Sequence, residues 1–468
     1  MPTASLRLSS TPGGELADAL AAIPASLGLS PEFPALDIPH PALPDVDLTH
    51  LAFVTVDPPG ATDLDQAFVL ERASEGYLVH YAIAAVSLFV APGGPIDAEA
   101  HSRGQTIYAP AGRIPLHPPA ISEDAASLLP GVDRGAYVWR FELDARAEVT
   151  ATTLTLARIR SRAQLTYASV DDPLLREIGE KRQQLERERG GASLTLPETE
   201  ISLVDGEYVL ERRTPLPAEG WNAQLSLMTG MAAARLMLDA GVGILRTMPP
   251  ADEQALASFR LQALALGHPW QSDIDYGDFL RSLDTTLPSG LAVMHAAASL
   301  FRGAGYTVLG GAVESGAVND AASDGTAPAI IAQAAVGAPY AHATAPLRRL
   351  VDRYVLAACE AIANGRPVPD WVLSALPDLP AIMAASGSLA GQVDRLAVDT
   401  VEAASLATRV GEVFDATVIT ARARSATIQL ISPAVTASCD GTLVAGTRIR
   451  ARLDVADITS ATVRFSAV

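Results

Sequence analysis

The chain has almost no lysine, and this shortage excludes whole classes of chemistry. Lys181 is the only lysine in 468 residues, so the other 33 of the 34 basic residues are arginines. Lys181 stands in a charged run, Glu180-Lys181-Arg182, which argues against a Schiff-base nucleophile, and no Gly-Lys-Ser/Thr sequence exists to form a Walker A loop. Charged contacts to phosphate must therefore come from arginine, whose planar guanidinium binds phosphate through paired N–H groups.

Cysteines and long apolar runs are also scarce. Cys359 and Cys439 are far apart and belong to no Cys-x-x-Cys pair, which excludes a disulfide scaffold and a structural zinc site. The N-terminus lacks the basic segment and apolar run of a signal peptide, and no apolar stretch reaches the ~18 residues of a membrane helix. We therefore expect a cytoplasmic protein with no membrane contact and no nucleotide cofactor.

Basic residues are few relative to acidic ones. The chain carries 34 basic and 53 acidic residues, a formal net charge of −19. This charge would repel a polyanion, so it excludes a protein that coats nucleic acid over its whole surface, although a narrow arginine-lined groove stays compatible. The 49% hydrophobic content supports a large core and excludes wholesale disorder.

Hydrophobic patterning predicts an α+β protein, with a mixed α/β domain followed by a small all-β barrel. Residues 1–50 are proline-rich and should be extended apart from a short helix around Glu15–Ala22. Predicted strands then give way to predicted helices, with a loop over Gly310–Asp324. From Gly411 onward, about five short strands have the rhythm of an OB-type barrel, and a small β-module for protein interaction is the alternative.

Three aspartates form the sharpest local pattern. Asp57, Asp63 and Asp65 lie within nine residues, and we expect Asp57 to end one strand while the other two begin the next. A spacing of two points both side chains to one face of a strand. Crowded carboxylates repel one another unless a cation neutralises them, and oxygen ligands favour Mg²⁺ or Mn²⁺. A phosphoryl-transfer centre, a calcium loop and a polar turn without a ligand all fit this spacing.

A second cluster lies in residues 340–352. Pro346 is typical of a helix start, and we expect a helix over Pro346–Asn364 with Arg348 and Arg349 in its first turn. Free backbone N–H groups and guanidinium groups together suit a phosphate. The alternative is that Asp352, four residues after Arg348, is simply its ion-pair partner.

Taken in order, these segments resemble the RNase II/RNase R (RNB) family of 3′→5′ exoribonucleases. The first family motif is similar to Val56-Asp57…Asp63-Leu64-Asp65-Gln66-Ala67. The second is similar to Tyr340-x-His342-x-Thr344-x-Pro346-x-Arg348-Arg349-x-x-Asp352. Shorter matches lie between the two motifs, at Arg103-Gly104, Ile107-Tyr108, Ile114-Pro115, Leu128-Leu129-Pro130-Gly131 and Ala163-Gln164-Leu165-Thr166-Tyr167. The order is colinear over roughly residues 52–410, and the C-terminal barrel stands where the family carries its S1 domain.

The resemblance implies a domain organisation. It implies an RNB-type catalytic domain over residues 51–385, a linking helix over 386–410 and an S1/OB-type RNA-binding barrel over 411–468. The short proline-rich segment over 1–50 stands where the family has two cold-shock-type barrels, which we expect to be absent.

The resemblance also implies a function. The chain would remove nucleotides one at a time from the 3′ end of single-stranded RNA as nucleoside 5′-monophosphates, through metal-assisted in-line attack of water. The cofactor would be Mg²⁺, with Mn²⁺ as a possible substitute, and the protein would act as a monomer. The residues implied as catalytic are Asp57, Asp63, Asp65 and Arg348; as metal ligands, Asp57, Asp63, Asp65 and Gln66; and as RNA-binding, Tyr167, His342, Arg348 and Arg349.

Two departures from the family pattern affect this expectation. Gln66 stands where the family usually has a second, adjacent aspartate, so one neutral oxygen replaces a charge. Ala345 stands where the family has a serine, which removes an expected helix N-cap. These losses keep open a second interpretation, a catalytically impaired RNA-binding relative of the family.

Overall fold

The computed structural model describes residues 5–9, 14–110, 112–192, 198–204, 207–213, 215–285, 287–310, 332–430, 433 and 435–468. The β-strands of these residues are β1 Ser5–Ser9, β2 Phe53–Asp57, β3 Gln66–Ala73, β4 Gly76–Ala84, β5 Ile107–Ala109, β6 Gly112–Ile114, β7 Asp133–Asp144, β8 Val149–Thr166, β9 Glu198–Val204, β10 Glu207–Arg213, β11 Gly243–Thr247, β12 Gly305–Leu309, β13 Val413–Ala421, β14 Ser425–Leu430, β15 Thr436–Asp440, β16 Arg448–Asp457 and β17 Thr462–Ala467. The α-helices are α1 Glu15–Ser26, α2 Pro95–Arg103, α3 Pro173–Glu188, α4 Pro217–Ala240, α5 Glu253–Ala265, α6 Tyr276–Arg281, α7 Pro288–Ala297, α8 Leu350–Ala363, α9 Asp370–Ala375 and α10 Leu379–Leu406.

A closed five-stranded barrel forms the centre of the molecule. Its strand order is β2-β3-β4-β7-β8, and the parallel pairing of β2 with β8 closes it. Asp57 at the end of β2 lies opposite Thr166 at the end of β8, and Gln66 begins the antiparallel neighbour β3. The carboxylate segment and the end of β8 therefore meet at one end of this barrel.

Helix α4 brings the second motif against this barrel through a glycine. A Cβ atom on Gly230 would lie 2.1 Å from the ring of Tyr340 and 2.6 Å from the carbonyl oxygen of Ala341. The Ala341 N–H donates to the Gly230 carbonyl at 3.0 Å. Only glycine leaves room for residues 340–341 to lie directly on α4.

The C-terminal part of the chain forms a second closed barrel, of strand order β13-β14-β15-β17-β16. Its own apolar core includes Phe414, Ile428 and Phe465. Helix α10 leads into this barrel, and its face packs with α1 and with the β5–β6 hairpin in one apolar cluster. Within the part of the chain that the structure describes, no helix is long and apolar enough to cross a membrane.

The predicted fold class, a mixed α/β domain followed by a small β-barrel, is confirmed. The short helix expected around Glu15–Ala22 is found as α1. The predicted start of the helix over Pro346–Asn364 is wrong, because α8 begins at Leu350. The predicted loop over Gly310–Asp324 lies, except for Gly310, outside the described residues.

We expect Gly230→Ala to destabilise the protein by about 1–3 kcal/mol, because the added methyl group meets Tyr340 and backbone. Gly387→Ala is the matched control. Gly387 lies inside α10 with nothing within 4 Å of an added Cβ, so alanine there should stabilise the helix by up to about 1 kcal/mol. Urea unfolding of both variants measures the difference, and equal stability of the two would contradict the packing described.

Candidate active centre

Asp57 presents a buried carboxylate oxygen without a partner. The residue is 9% exposed, and its Oδ2 atom has no hydrogen-bond partner. Burial is the main reason that the pKa of Asp57 is raised to about 6; the Thr55 hydroxyl and the Arg348 guanidinium oppose the rise, and the charge of Asp63 adds to it. An unpartnered anionic oxygen in such a place fits a bound cation.

Asp65 joins two distant parts of the chain. Its Oδ1 atom accepts the backbone N–H of Leu347 at 2.8 Å, and its Oδ2 atom lies 3.6 Å from Nε of Arg348. Burial raises the pKa of the Asp65 carboxyl well above its ordinary value, against the opposing effects of Arg348 and the Leu347 N–H. The carboxylate therefore both fixes the backbone of the second motif and faces its arginine.

Asp63 is held by the β5–β6 hairpin. Its Oδ1 atom accepts from Nη1 of Arg113 at 2.9 Å, and its Oδ2 atom accepts from the hydroxyl of Tyr108 at 3.3 Å. Arg113 also pairs with Glu123, at 2.6 Å from Nη2. Sequence reasoning did not single out Tyr108, Arg113 or Glu123 as site residues. Two of them could have been found from the resemblance, because Tyr108 belongs to the family match Ile107-Tyr108 and Arg113 directly precedes the match Ile114-Pro115.

Asp63 and Asp65 lie in the loop before β3, so the expectation that both begin a strand and share its face is wrong. The loop is shaped by a turn in which the Ala61 N–H donates to the Pro58 carbonyl at 3.2 Å, with Gly60 at a φ of +80°. Leaving the strand geometry lets Asp63 turn to Arg113 while Asp65 turns to Leu347.

Gln66 makes a hydrogen bond that an aspartate could not make. Its Nε2 atom donates to the backbone carbonyl of Thr344. A carboxylate has no N–H to donate and would repel that carbonyl oxygen. Gln66 thus ties the start of β3 to the second motif, and the amide oxygen is the end of the side chain available as a neutral ligand.

The segment before α8 is a tight turn rather than the first turn of a helix. The N–H groups of Arg348 and Arg349 both donate to the carbonyl of Ala345, at 3.2 and 2.9 Å. Arg349 itself is extended, with φ −132° and ψ 124°. The two arginines therefore precede the helix, and their guanidinium groups face different carboxylates, Asp65 and Asp352.

Asp352, in the first turn of α8, fixes the segment that precedes the helix. Its Oδ1 atom accepts the N–H groups of Thr344 and Ala345, at 2.8 and 2.7 Å, and Nη2 of Arg349 at 2.8 Å. The ion-pair partner of Asp352 is thus Arg349, and the alternative that paired it with Arg348 is wrong. The Arg348 side chain is 42% exposed and faces Asp65 instead.

The predicted RNA-binding residues lie around this turn. Nδ1 of His342 lies 2.7 Å from the hydroxyl of Tyr306, and its ring packs edge-on against Tyr306 and Tyr340. Burial, with the charge of Arg349, lowers the pKa of His342 well below its ordinary value, so the imidazole is neutral. Tyr167 follows β8 and is half-buried, and burial together with the charge of Asp57 raises its pKa.

The donor set fits a hard divalent cation, although it is not a closed cage. Among the described residues, no group of three or more His, Cys, Asp or Glu side chains is placed to hold a metal ion. Mg²⁺ commonly binds proteins through one or two carboxylates and completes its shell with water and substrate phosphate. The unpartnered oxygen of Asp57 and the Asp65 carboxylate, which both feel the charge of Arg348, are carboxylates of this kind, and Gln66 keeps its amide oxygen.

Both regions that contain a barrel match known protein-family models. Residues 45–364 match the RNB domain model, which covers more than half of the chain. The chain belongs to the RNB family. Residues 412–468 match the RNase II-type exonuclease C-terminal S1 domain.

Curated relatives match this RNB protein over shorter stretches. It is 42% identical over 123 residues to the mouse exosome complex exonuclease RRP44, covering 26% of this chain and 13% of the relative. It is 37% identical over 126 residues to ribonuclease R of Escherichia coli K12, covering 27% of this chain and 16% of the relative. The matched segments are thus a small part of these relatives.

Solved structures show the same fold over nearly the whole RNB protein. The apo form of Mycoplasma genitalium RNase R superposes with a TM-score of 0.80 at 19% identity, covering 97% of this chain and 78% of that one. Yeast Ssd1, described as a pseudonuclease, superposes with a TM-score of 0.70 at 15% identity, covering 93% of this chain and 58% of that one.

We expect Asp57→Asn to stabilise the metal-free protein at pH 7.5 by up to about 3 kcal/mol, which corresponds to a carboxyl pKa raised to about 6. A raised acid pKa means that the folded state binds the proton more tightly. The penalty is therefore absent near pH 4 and develops as the pH rises through 6. Thermal unfolding in EDTA at pH 4 and 7.5 measures it.

Asp63→Asn is the control for this stability measurement. It removes one of the two ion-pair partners of Arg113 and should not stabilise the protein at either pH. Loss of stability in Asp57→Asn at pH 7.5 would show instead that the Asp57 carboxylate is well compensated without a metal ion.

Proposed function

We propose that this RNB protein is a 3′→5′ exoribonuclease that hydrolyses single-stranded RNA to nucleoside 5′-monophosphates with the help of Mg²⁺. The observation that carries the proposal is a set of three groups at one end of the barrel. Asp57 has a buried carboxylate oxygen without a partner, and the Asp65 carboxylate faces the guanidinium of Arg348. Mn²⁺ should substitute for Mg²⁺ because both prefer oxygen ligands.

A divalent cation held by Asp57, Asp65 and the amide oxygen of Gln66 would supply charge neutralisation and activation of water for phosphodiester hydrolysis. Arg348 has the exposure to reach a phosphate and stabilises negative charge as it develops there. Asp65 orients Arg348 and, through the Leu347 N–H, fixes the turn that carries it. Asp63 stays the third proposed carboxylate ligand, and the β5–β6 hairpin holds it through Tyr108 and Arg113.

Aromatic side chains give the centre a means of holding RNA bases. Tyr108 is 51% exposed while its hydroxyl donates to Asp63. Tyr167 lies near Asp57 on the opposite strand end. Stacking on such rings tolerates any base, which suits an exonuclease that moves along a strand. Arg349 and His342 are engaged with Asp352 and Tyr306, so we assign them to shaping the RNA path.

The domain assignment belongs to the same proposal. Residues 51–385 would form the catalytic domain, residues 386–410 the link, and residues 411–468 an RNA-binding barrel, with 1–50 as a short N-terminal segment. We propose that the protein acts as a monomer in the cytoplasm on RNA 3′ ends. The similarity of residues 412–468 to the S1 domain of RNase II-type exonucleases supports RNA binding by the barrel.

A second function, RNA binding without catalysis, is favoured by one observation. Gln66 is committed through its amide N–H to Thr344, and Asp63 is committed to Arg113, so two of the expected anionic ligands are replaced or occupied. The similar fold of yeast Ssd1, a pseudonuclease, supports this alternative.

The two functions separate on labelled RNA. With Mg²⁺ and a 5′-labelled single strand, we expect stepwise shortening, and with a 3′ label, release of mononucleotide as the first product. EDTA and Asp65→Asn should abolish turnover, and Arg348→Ala should lower it by about 10²–10³-fold. Binding of the strand without shortening, at any Mg²⁺ or Mn²⁺ concentration, would establish the second function.

We expect Gln66→Asp to lower the Mg²⁺ concentration required for half-maximal activity by about tenfold, because it adds a charged ligand. The same change should lower stability, since the hydrogen bond to Thr344 is lost. Gln66→Asn is the matched control, with the length of aspartate but no charge, and should not lower the requirement. An unchanged Mg²⁺ requirement in Gln66→Asp would place residue 66 outside the metal shell.

A further inference from the structure

A separate cavity of about 500 Å³ lies between β8, α3 and α4. Val149, the first residue of β8, lines it, whereas Thr166, the last residue of β8, pairs with Asp57. The cavity therefore lies at the other end of the long strand from the candidate active centre. Its size is in the range of pockets that hold small molecules, about 300–1,000 Å³.

Arg182 of α3 and Arg189, which directly follows α3, line this cavity and carry buried hydrogen-bond donors without partners. Arg182 is 3% exposed, and its Nη1 atom donates to the carbonyl of Ala147 at 2.8 Å. Its Nε atom is buried without a partner, as are Nε and Nη2 of Arg189. Buried donors without acceptors cost free energy, and a bound anion would recover it.

The two arginines are close neighbours, and Glu148 and Glu188 line the same cavity. Burial is the main reason that the pKa of Arg182 is lowered to about 10, and the neighbouring charge of Arg189 contributes. Glu148 and Glu186 offset part of this positive charge, but neither accepts a hydrogen bond from the three unpartnered nitrogens. Two adjacent guanidinium groups offer the forked donors that match the oxygens of a phosphate.

Apolar side chains also line the cavity. Met228, Met231 and Leu236 of α4 line it together with Val149. Methionine side chains adapt to planar and aromatic groups. A ligand of matching chemistry has a phosphate at one end and an apolar or aromatic body at the other.

We propose that this cavity binds a small organic monophosphate of the size of a nucleoside 5′-monophosphate. The phosphate would lie against Arg182 and Arg189, and the body would lie against Met228 and Met231. The inference is independent of the proposed catalytic function, because none of these residues belongs to the candidate active centre.

The test is isothermal titration calorimetry of the full chain in EDTA, with 5′-AMP, adenosine and inorganic phosphate as probes. We expect 5′-AMP to bind, and adenosine and phosphate each to bind at least tenfold more weakly. Arg189→Gln removes two of the unpartnered donors, and Ala232→Phe fills the cavity from α4, so each should weaken 5′-AMP binding at least tenfold. Thermal unfolding shows that each variant is folded, and two variants of different chemistry guard against misfolding of one.

Two further variants locate the bound nucleotide. Arg176→Gln changes an exposed arginine of the same helix and should leave 5′-AMP binding unchanged. Arg348→Gln should leave binding in this cavity unchanged, although it removes the proposed contact of the active centre to a product phosphate. Loss of binding in Arg348→Gln with retention in Arg189→Gln would place the nucleotide in the active centre and overturn the inference. Undetectable binding of 5′-AMP to the unmodified chain, or equally tight binding of inorganic phosphate, would overturn it as well.

Discussion

The buried carboxylate of Asp65 is the interaction on which the candidate centre depends. It connects the loop before β3 with a turn 282 residues later, through the Leu347 N–H and the Arg348 guanidinium. The same turn is held from the other side by Asp352 and by the bond from the Thr106 N–H to the Arg348 carbonyl, at 2.9 Å. Side-chain hydrogen bonds to Asp65 and Asp352, rather than helix or strand hydrogen bonds, therefore fix this turn.

This arrangement would reconcile an acidic protein with the proposed RNA substrate. Positive charge near the centre comes from few arginines, and each faces a carboxylate that fixes its direction: Arg113 faces Asp63, Arg348 faces Asp65 and Arg349 faces Asp352. Arg348 differs from the other two because it is the most exposed and has the longest contact. It is therefore the arginine with the most freedom to exchange its carboxylate for a phosphate.

Much of the fold could be predicted because it depends on local patterns. The strand-like segments predicted ahead of the helices correspond to β2, β3, β4, β7 and β8, and the short strands after Gly411 predicted the second barrel. The start of α8 could not be predicted, since Pro346 has the local signature of a helix start. What overrides it is Asp65 accepting the Leu347 N–H, a contact between residues far apart in the sequence.

The candidate site was predictable as a set of residues but not as a geometry. The spacing of Asp63 and Asp65 suggested a shared face, yet Arg113 draws Asp63 away, and nothing in the local sequence around Asp63 reveals that partner. Likewise, the replacement at Gln66 could be recognised from the resemblance. Its donor bond to Thr344 required the three-dimensional arrangement of the two motifs.

The β5–β6 hairpin packs on two helices that are far apart in the sequence, α1 and α10. Ile107 and Ile114 pack in one apolar cluster with Leu20 of α1 and Val393 of α10. A shortened expression variant that starts after residue 30 would lack α1, which packs against the hairpin, but would keep every motif residue. Such a variant would keep both motifs, but the contacts of Tyr108 and Arg113 with Asp63 would be less well fixed. The motifs alone therefore do not indicate where this protein tolerates truncation.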